Sequence, residues 1–289
     1  MLHLWWQATR PKTLPASVGP VLLGTALAST QTDINTSLFL LTLLCAVALQ
    51  IGVNLANDLF DGLSGVDGDD RLGPPRMVQS GQVTPAQMKI ALALCTLIAA
   101  ASGLMLVAHG GWMLLLIGVA CLLGVFAYSA GPWPLASCGL GEVTVLVFFG
   151  WVAVMGSYFL QTGNVSLASF LFGSASGLFS AAMMLVNNLR DLPTDANAGK
   201  VTLAIRLGET PSRTLYILML ILALVFHSLA TSTSVWHLLI PVLVCLKPVI
   251  NLMTAIRTHS GQSLNDVLAN TAKAGFLYCL SSAAVLAVL

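Results

Sequence analysis

Asn187-Asn188-Leu189-Arg190-Asp191-Leu192-Pro193-Thr194-Asp195 closes an apolar run that starts near residue 167. Upstream, Asn57-Asp58-Leu59-Phe60-Asp61 closes another apolar run, with Asp67, Asp69 and Asp70 just behind. Each cassette is followed by cations: Arg76 lies fifteen residues after Asp61, and Arg206 fifteen after Asp191. Only 8% of the chain is charged, so two matched carboxylate–cation clusters stand out. Carboxylates and carboxamides are hard oxygen ligands that suit Mg²⁺. Arg and Lys suit phosphate oxygens. Together they point to a site for a magnesium diphosphate at a membrane surface.

The rest of the chain supplies the membrane. Of 289 residues, 57% are hydrophobic, and the mean hydropathy is +0.88, which places the chain in the polytopic membrane class. Apolar stretches of about 20 residues recur, each long enough to cross the hydrocarbon as a helix. Lipid offers the backbone no hydrogen-bond partners, so these stretches are read as helices. The expected fold is all-α: a transmembrane helical bundle of about nine spans, near residues 13–31, 36–56, 88–108, 112–130, 142–162, 167–189, 214–231, 235–256 and 269–288. Arg10 and Lys12 ahead of an apolar run, with Ala26-Leu27-Ala28 after it, imitate a secretory signal. The further apolar runs favour a retained first helix.

Lys and Arg set the orientation. Arg10, Lys12, Arg71, Arg76, Lys89, Arg190, Lys200, Arg206, Arg213, Arg257 and Lys273 share one face, and the opposite turns contain none. That face is expected in the cytoplasm of a bacterial-type inner or plasma membrane, with the N-terminus, while the C-terminus lies on the far side. Lys247, beside Pro248, falls inside a span. It is either functional or snorkels to the interface. A net charge of +1 leaves no nucleic-acid footprint, and the cysteines show no metal spacing. The histidines are scattered without a common motif.

The long polar loops are the two that begin with the cassettes. The chain reads as a single domain, 1–289, whose halves, about 1–130 and 131–289, form a parallel pseudo-repeat with facing loops. Along a helix, residues four apart share a face, so Asn57 points with Asp61, and Asn187 with Asp191 and Asp195. These acids lie near helix C-termini, where the dipole opposes negative charge, and a divalent cation would relieve that. The plainer alternative is that they cap helices and face water. For the cations in these loops, the plainer alternative is topology alone.

Taken in order, the motifs resemble the UbiA superfamily of intramembrane aromatic prenyltransferases, over nearly the whole chain. The likeness rests on Arg10-Pro11-Lys12-Thr13-Leu14-Pro15-Ala16, Asn54-Leu55-Ala56-Asn57-Asp58 and Arg71-Leu72-Gly73-Pro74-Pro75-Arg76. It continues in Tyr128-Ser129-Ala130-Gly131-Pro132, Gly139-Leu140-Gly141-Glu142, the second cassette, and Gly199-Lys200-Val201-Thr202-Leu203-Ala204-Ile205-Arg206-Leu207-Gly208. Within the superfamily it most resembles members that act on 1,4-dihydroxy-2-naphthoate in menaquinone synthesis. The superfamily's acidic pattern, N-x-x-x-D-x-x-x-D, is complete at Asn187, Asp191 and Asp195. Asn57 and Asp61 match the first copy, but Gly65 takes the third position; Asp67, two residues on, is the expected substitute, which leaves the third ligand open.

The resemblance implies two polar loops capping a lipid-open cavity. It implies Mg²⁺ held by Asn57, Asp58, Asp61, Asp67, Asp191 and Asp195. Asn57, Asn187, Arg71, Arg76, Lys200 and Arg206 would take the diphosphate of a polyprenyl diphosphate. Ionisation would give an allylic cation, which the naphthoate ring attacks with loss of CO₂. Asp61, Asp191 and Asp195 carry the chemistry. Tyr128 is either a stabiliser of the cation through its aromatic face or an interfacial anchor. Two rivals are prenylation of another aromatic acid, such as 4-hydroxybenzoate, and membrane transport. A transport path lacks polar stepping stones, because the acids cluster at one rim.

Overall fold

A computed structural model describes residues 2–64, 72–73, 76–131, 133–231 and 239–288. In chain order the helices are α1 (Leu2–Ala8), α2 (Pro15–Ser29), α3 (Thr36–Ser64), α4 (Pro85–Gly110), α5 (Trp112–Ala127), α6 (Gly141–Val145), α7 (Ala153–Thr162) and α8 (Leu167–Arg190). They are followed by α9 (Leu192–Asn197), α10 (Leu203–Leu207), α11 (Glu209–Ala230), α12 (Ile240–Thr258) and α13 (Leu264–Leu286). A wide π turn, Leu146–Val152, joins α6 to α7 into one continuous rod. Every expected span has a helix beneath it.

Six of these helices are long and apolar enough to cross a membrane: α3, α4, the α6–α7 rod, α8, α11 and α12. α2 and α5 are apolar but shorter. The chain is an integral membrane protein, and much of its outer surface is apolar. Leu97 and Met105 on α4, Leu116 and Leu123 on α5, and Leu218 on α11 all point outward. So many exposed apolar side chains on one protein fit a hydrocarbon surround. Lys247 is exposed on the outer surface of α12 and does not line the cavity described below.

Helix α8 is the centre of the bundle. Buried residues make up 78% of its most apolar stretch, against 22–33% for the other candidate spans. Its sequence explains this: Gly173, Ser174, Ala175, Ser176, Gly177, Ser180, Ala181 and Ala182 are small and let neighbours approach closely. The π turn exploits that. A methyl group at Gly150 would lie 2.5 Å from the Gly173 carbonyl oxygen, and one at Gly177 would lie 2.7 Å from that of Leu146. Helix α13 packs along α2, with Cys279 and Phe276 against Gly19.

Buried side chains from α2, α7, α8, α11, α12 and α13 form the main core. A second cluster holds α3 to α4 through Leu55, Leu59, Met88 and Leu92, and it includes Met77 and Val83 of the loop between them. A large cavity opens between the two clusters. Opposite its charged end, polar pairs tie the turns together. Gln161 accepts from the Asn35 amide (2.8 Å) and Tyr158 donates to Gln31 (2.7 Å).

Both cassettes sit where long helices end at the same rim. α3 continues past the expected span end at residue 56 to Ser64, so Asn57 and Asp61 share one helical face. α8 stops at Arg190 because Pro193 has no N–H to continue the ladder, and Asp191 is the joint between α8 and α9.

Candidate active site

The cavity has a volume of about 990 Å³ and two unlike ends. One is charged: Arg10, Asn57, Asp61, Arg76, Asn187, Asp191, Asp195 and Lys200 line it. The rest is apolar, with walls that include Leu49, Leu104, Leu115, Phe148, Phe149 and Met183. Tyr128 also lines it, buried, its hydroxyl donating to the Met184 sulfur at 3.0 Å. Such a shape accepts a molecule with an anionic head and a long hydrocarbon tail. The two cassettes, far apart in sequence, face one space.

Each acid at the charged end pairs with a cation near it in the sequence. Arg76, buried, pairs with Asp61. Lys200 Nζ lies 2.9 Å from Asp195 Oδ1. Arg190, only 2% exposed, donates through Nε to Asp191 Oδ1 at 2.7 Å and through Nη2 to Asp191 Oδ2 and Asn187 Oδ1. Asn57 Oδ1 accepts from the Ser129 hydroxyl. Three carboxylates can therefore face each other across the cavity without strong mutual repulsion.

Among the described residues no three Asp, Glu, His or Cys side chains gather into a ready metal cage. The donor set nonetheless fits magnesium. Asp61, Asp191 and Asp195, with Asn57 and Asn187, present only hard oxygens besides their amide nitrogens, all at one end of one cavity.

Two residues expected here lie elsewhere. Asp58 is buried, and both its oxygens accept backbone N–H bonds at 2.9 Å, from Met77 and Val78. It folds the loop back onto α3 rather than facing the cavity. The spacing rule gives neighbours on a helix but not which face the loop covers. Arg206 is exposed on α10 and donates to the Cys138 carbonyl at 2.9 Å, outside the cavity lining. Its match to Arg76 in spacing is not a match in place, because α9 and α10 intervene. Asp67 and Arg71 lie outside the described residues.

Other residues join the site that the motif reading did not single out. Arg190 stands in the second cassette and among the topology-setting cations without a site role of its own in the sequence, yet its guanidinium organises that cassette. Asn265 Oδ1 on α13 receives Arg190 Nη1 at 2.7 Å, and its Nδ2 donates to the Leu72 carbonyl at 3.0 Å. Asn188 lines the cavity and donates to buried Glu142 at 2.8 Å. A polar residue inside an apolar run was the available signal for Asn188. Asn265 had none.

Comparison with known proteins gives the same picture from another direction. The model of the UbiA prenyltransferase family matches residues 17–280. The chain belongs to the UbiA prenyltransferase family. It is similar to the 1,4-dihydroxy-2-naphthoate octaprenyltransferase of Mycobacterium tuberculosis, 37% identical over 98% of this chain and 96% of that protein. The Escherichia coli enzyme of the same name is 39% identical over 80% of this chain and 78% of its own. Among solved structures, a UbiA homolog from Archaeoglobus fulgidus bound to GPP and Mg²⁺ superposes with a TM-score of 0.72, covering 98% and 99% of the two chains. At 13% identity that likeness speaks for the fold alone. This UbiA-family chain is a prenyltransferase.

Proposed function

We propose that this prenyltransferase moves a polyprenyl group from its diphosphate to 1,4-dihydroxy-2-naphthoate, with loss of CO₂, giving demethylmenaquinol. The observation that carries the reading is the two-ended cavity, with Asp61, Asp191, Asp195, Arg76 and Lys200 at its charged end and an apolar remainder. Identity of 37–39% to enzymes named as acting on that naphthoate supports the choice of acceptor.

Asp61, Asp191 and Asp195, aided by Asn57 and Asn187, would hold Mg²⁺. When bound, the metal neutralises the diphosphate and makes it a better leaving group. Arg76 and Lys200 donate to the diphosphate oxygens as they take up charge. The allylic C–O bond breaks, and its electron pair leaves with the diphosphate. The apolar walls keep water from the carbon left behind, and the Tyr128 ring faces it with negative π density. The ring carbon bearing the carboxylate forms the new C–C bond. The carboxylate then departs as CO₂, returning its bonding pair to the ring, so charge and atoms balance. The charged rim belongs to the cytoplasmic face in this reading.

Purified protein in nanodiscs, given a polyprenyl diphosphate, provides the test with either naphthoate or 4-hydroxybenzoate as acceptor. Product should form with the naphthoate only, stop with EDTA and return with Mg²⁺. Asp61→Asn and Asp191→Asn should each nearly abolish turnover in protein that stays folded. Normal turnover in either variant would refute the metal assignment, and turnover with 4-hydroxybenzoate alone would refute the acceptor.

A further inference from the structure

One side chain joins both halves of the site without touching the cavity. Asn265 lies in the first turn of α13, on an element that contributes no motif. Its carbonyl oxygen receives Arg190 Nη1 at 2.7 Å, and its amide nitrogen donates to the Leu72 carbonyl at 3.0 Å. Leu72 belongs to the loop after the first cassette, Arg190 to the second. An amide is the side-chain group that accepts and donates at once with fixed geometry.

What Asn265 fixes matters because of how Arg190 is used. The guanidinium is a rigid planar fork with five N–H donors. Four of its contacts are Nε to Asp191 Oδ1, Nη2 to Asp191 Oδ2, Nη2 to Asn187 Oδ1, and Nη1 to Asn265. Three hold the residues that line the cavity, and the fourth holds the fork itself. Arg190 is buried at 2% exposure, so water does not replace a lost partner. Moving one corner of a planar fork moves the others.

We propose that Asn265 is a positioning residue for diphosphate and metal binding. It acts through Arg190 on Asn187 and Asp191, and through the Leu72 carbonyl it sets the first loop against the second. The inference rests on the proposed reading of the charged end as the diphosphate site. It assigns nothing to the aromatic acceptor, so its signature is a split between the two substrates.

The test uses full-length protein in nanodiscs. Three variants are compared with the parent: Asn265→Ala, Asn265→Asp and, as a packing control, Val267→Ala. Val267 is buried on the same helix. Four quantities are read: the half-saturating Mg²⁺ concentration, the KM for prenyl diphosphate, the KM for the naphthoate, and the melting temperature.

Asn265→Ala should raise the first two by about ten- to a hundredfold, the range for losing a hydrogen bond to a charged group. It should leave the naphthoate KM unchanged. Asn265→Asp restores an acceptor to Arg190 and should recover most of that loss. Val267→Ala should lower the melting temperature without moving the Mg²⁺ requirement. The inference is overturned if Asn265→Ala behaves like Val267→Ala, if both KM values rise together, or if Asn265→Asp is no better than Ala. Should Asn265→Ala not fold, Asn265→Asp must still show a prenyl-diphosphate KM above the parent's, reporting the lost Leu72 bond; a parent-like value overturns the bridge. Thermal stabilisation by Mg²⁺ with inorganic pyrophosphate reads the same geometry without acceptor. A parent that is stabilised but inactive on the naphthoate would sink the acceptor assignment and leave this inference standing.

Discussion

Lys200→Gln should tighten metal binding while weakening diphosphate binding. In the structure the Lys200 ammonium lies 2.9 Å from Asp195, with side chains 20% and 11% exposed. A metal arriving alone must displace that ammonium and then sit beside it. At this distance the bare attraction is about 5–6 kcal/mol at an effective dielectric of 20. Desolvation and the entropy of a long side chain remove most of it, and exposed pairs retain only about 0.2–1 kcal/mol. A half-buried pair lies somewhat higher, so about 1–2 kcal/mol is the working value, or roughly 5- to 30-fold in an equilibrium constant. Glutamine keeps much of the length and removes the charge. Mn²⁺ binding to purified protein, followed by the electron paramagnetic resonance of the free ion, should therefore tighten by about 5- to 30-fold. Pyrophosphate binding in saturating Mg²⁺ should weaken by about tenfold or more, because a charged donor is lost. The opposite signs are the point. Weaker or unchanged Mn²⁺ binding would refute the idea that Lys200 stands in for the metal at Asp195.

Asp58→Ala should cost about 2–5 kcal/mol of stability, since two backbone N–H groups lose a charged acceptor. Thermal unfolding should show this, with the Mg²⁺ requirement of the surviving protein unchanged; a shifted requirement would return Asp58 to the metal site. Tyr128→Phe removes only the hydroxyl contact to Met184, and kcat should stay within a few-fold of the parent. Tyr128→Leu removes the π face and should lower kcat by up to about 30-fold; equal effects of the two would place the role in the hydroxyl. Cysteine at Asn197 should react with an impermeant thiol reagent only from the cytoplasmic side, and cysteine at Asn164 only from outside, in a background without native cysteines. Labelling of both from one side would refute the orientation.

The sequence displays its helices because its apolar runs are long and most of the turns between them are short. It displays Asn57, Asp61, Asn187, Asp191 and Asp195 because hard charged oxygens inside such a chain are costly unless used. It conceals tertiary direction. Asp58 and Asp61 look alike in a list of acids, but one turns to the loop backbone and the other to the cavity. Arg76 and Arg206 share a spacing, but only Arg76 folds back on its own aspartate. Asn265 is a lone polar residue in the first turn of α13, and only the packed bundle reveals its two partners. The π turn at Leu146–Val152 likewise leaves no mark in periodicity. It is set by where Gly150 meets Gly173 and Gly177.

The pairing of α2 with α13 also has a history in time. A membrane chain is inserted as it is made, N-terminal helices first. α2 therefore enters the bilayer with Gly19 facing lipid, long before Cys279 and Phe276 exist to cover it. The packing of α13 on α2, α8 and α12 forms only once α13 has been made. Until then the sides of α2, α8 and α12 that α13 will cover have lipid, not protein, against them. Without α13 the newly made chain would sit in the membrane with those three helix faces uncovered, a natural substrate for membrane proteases.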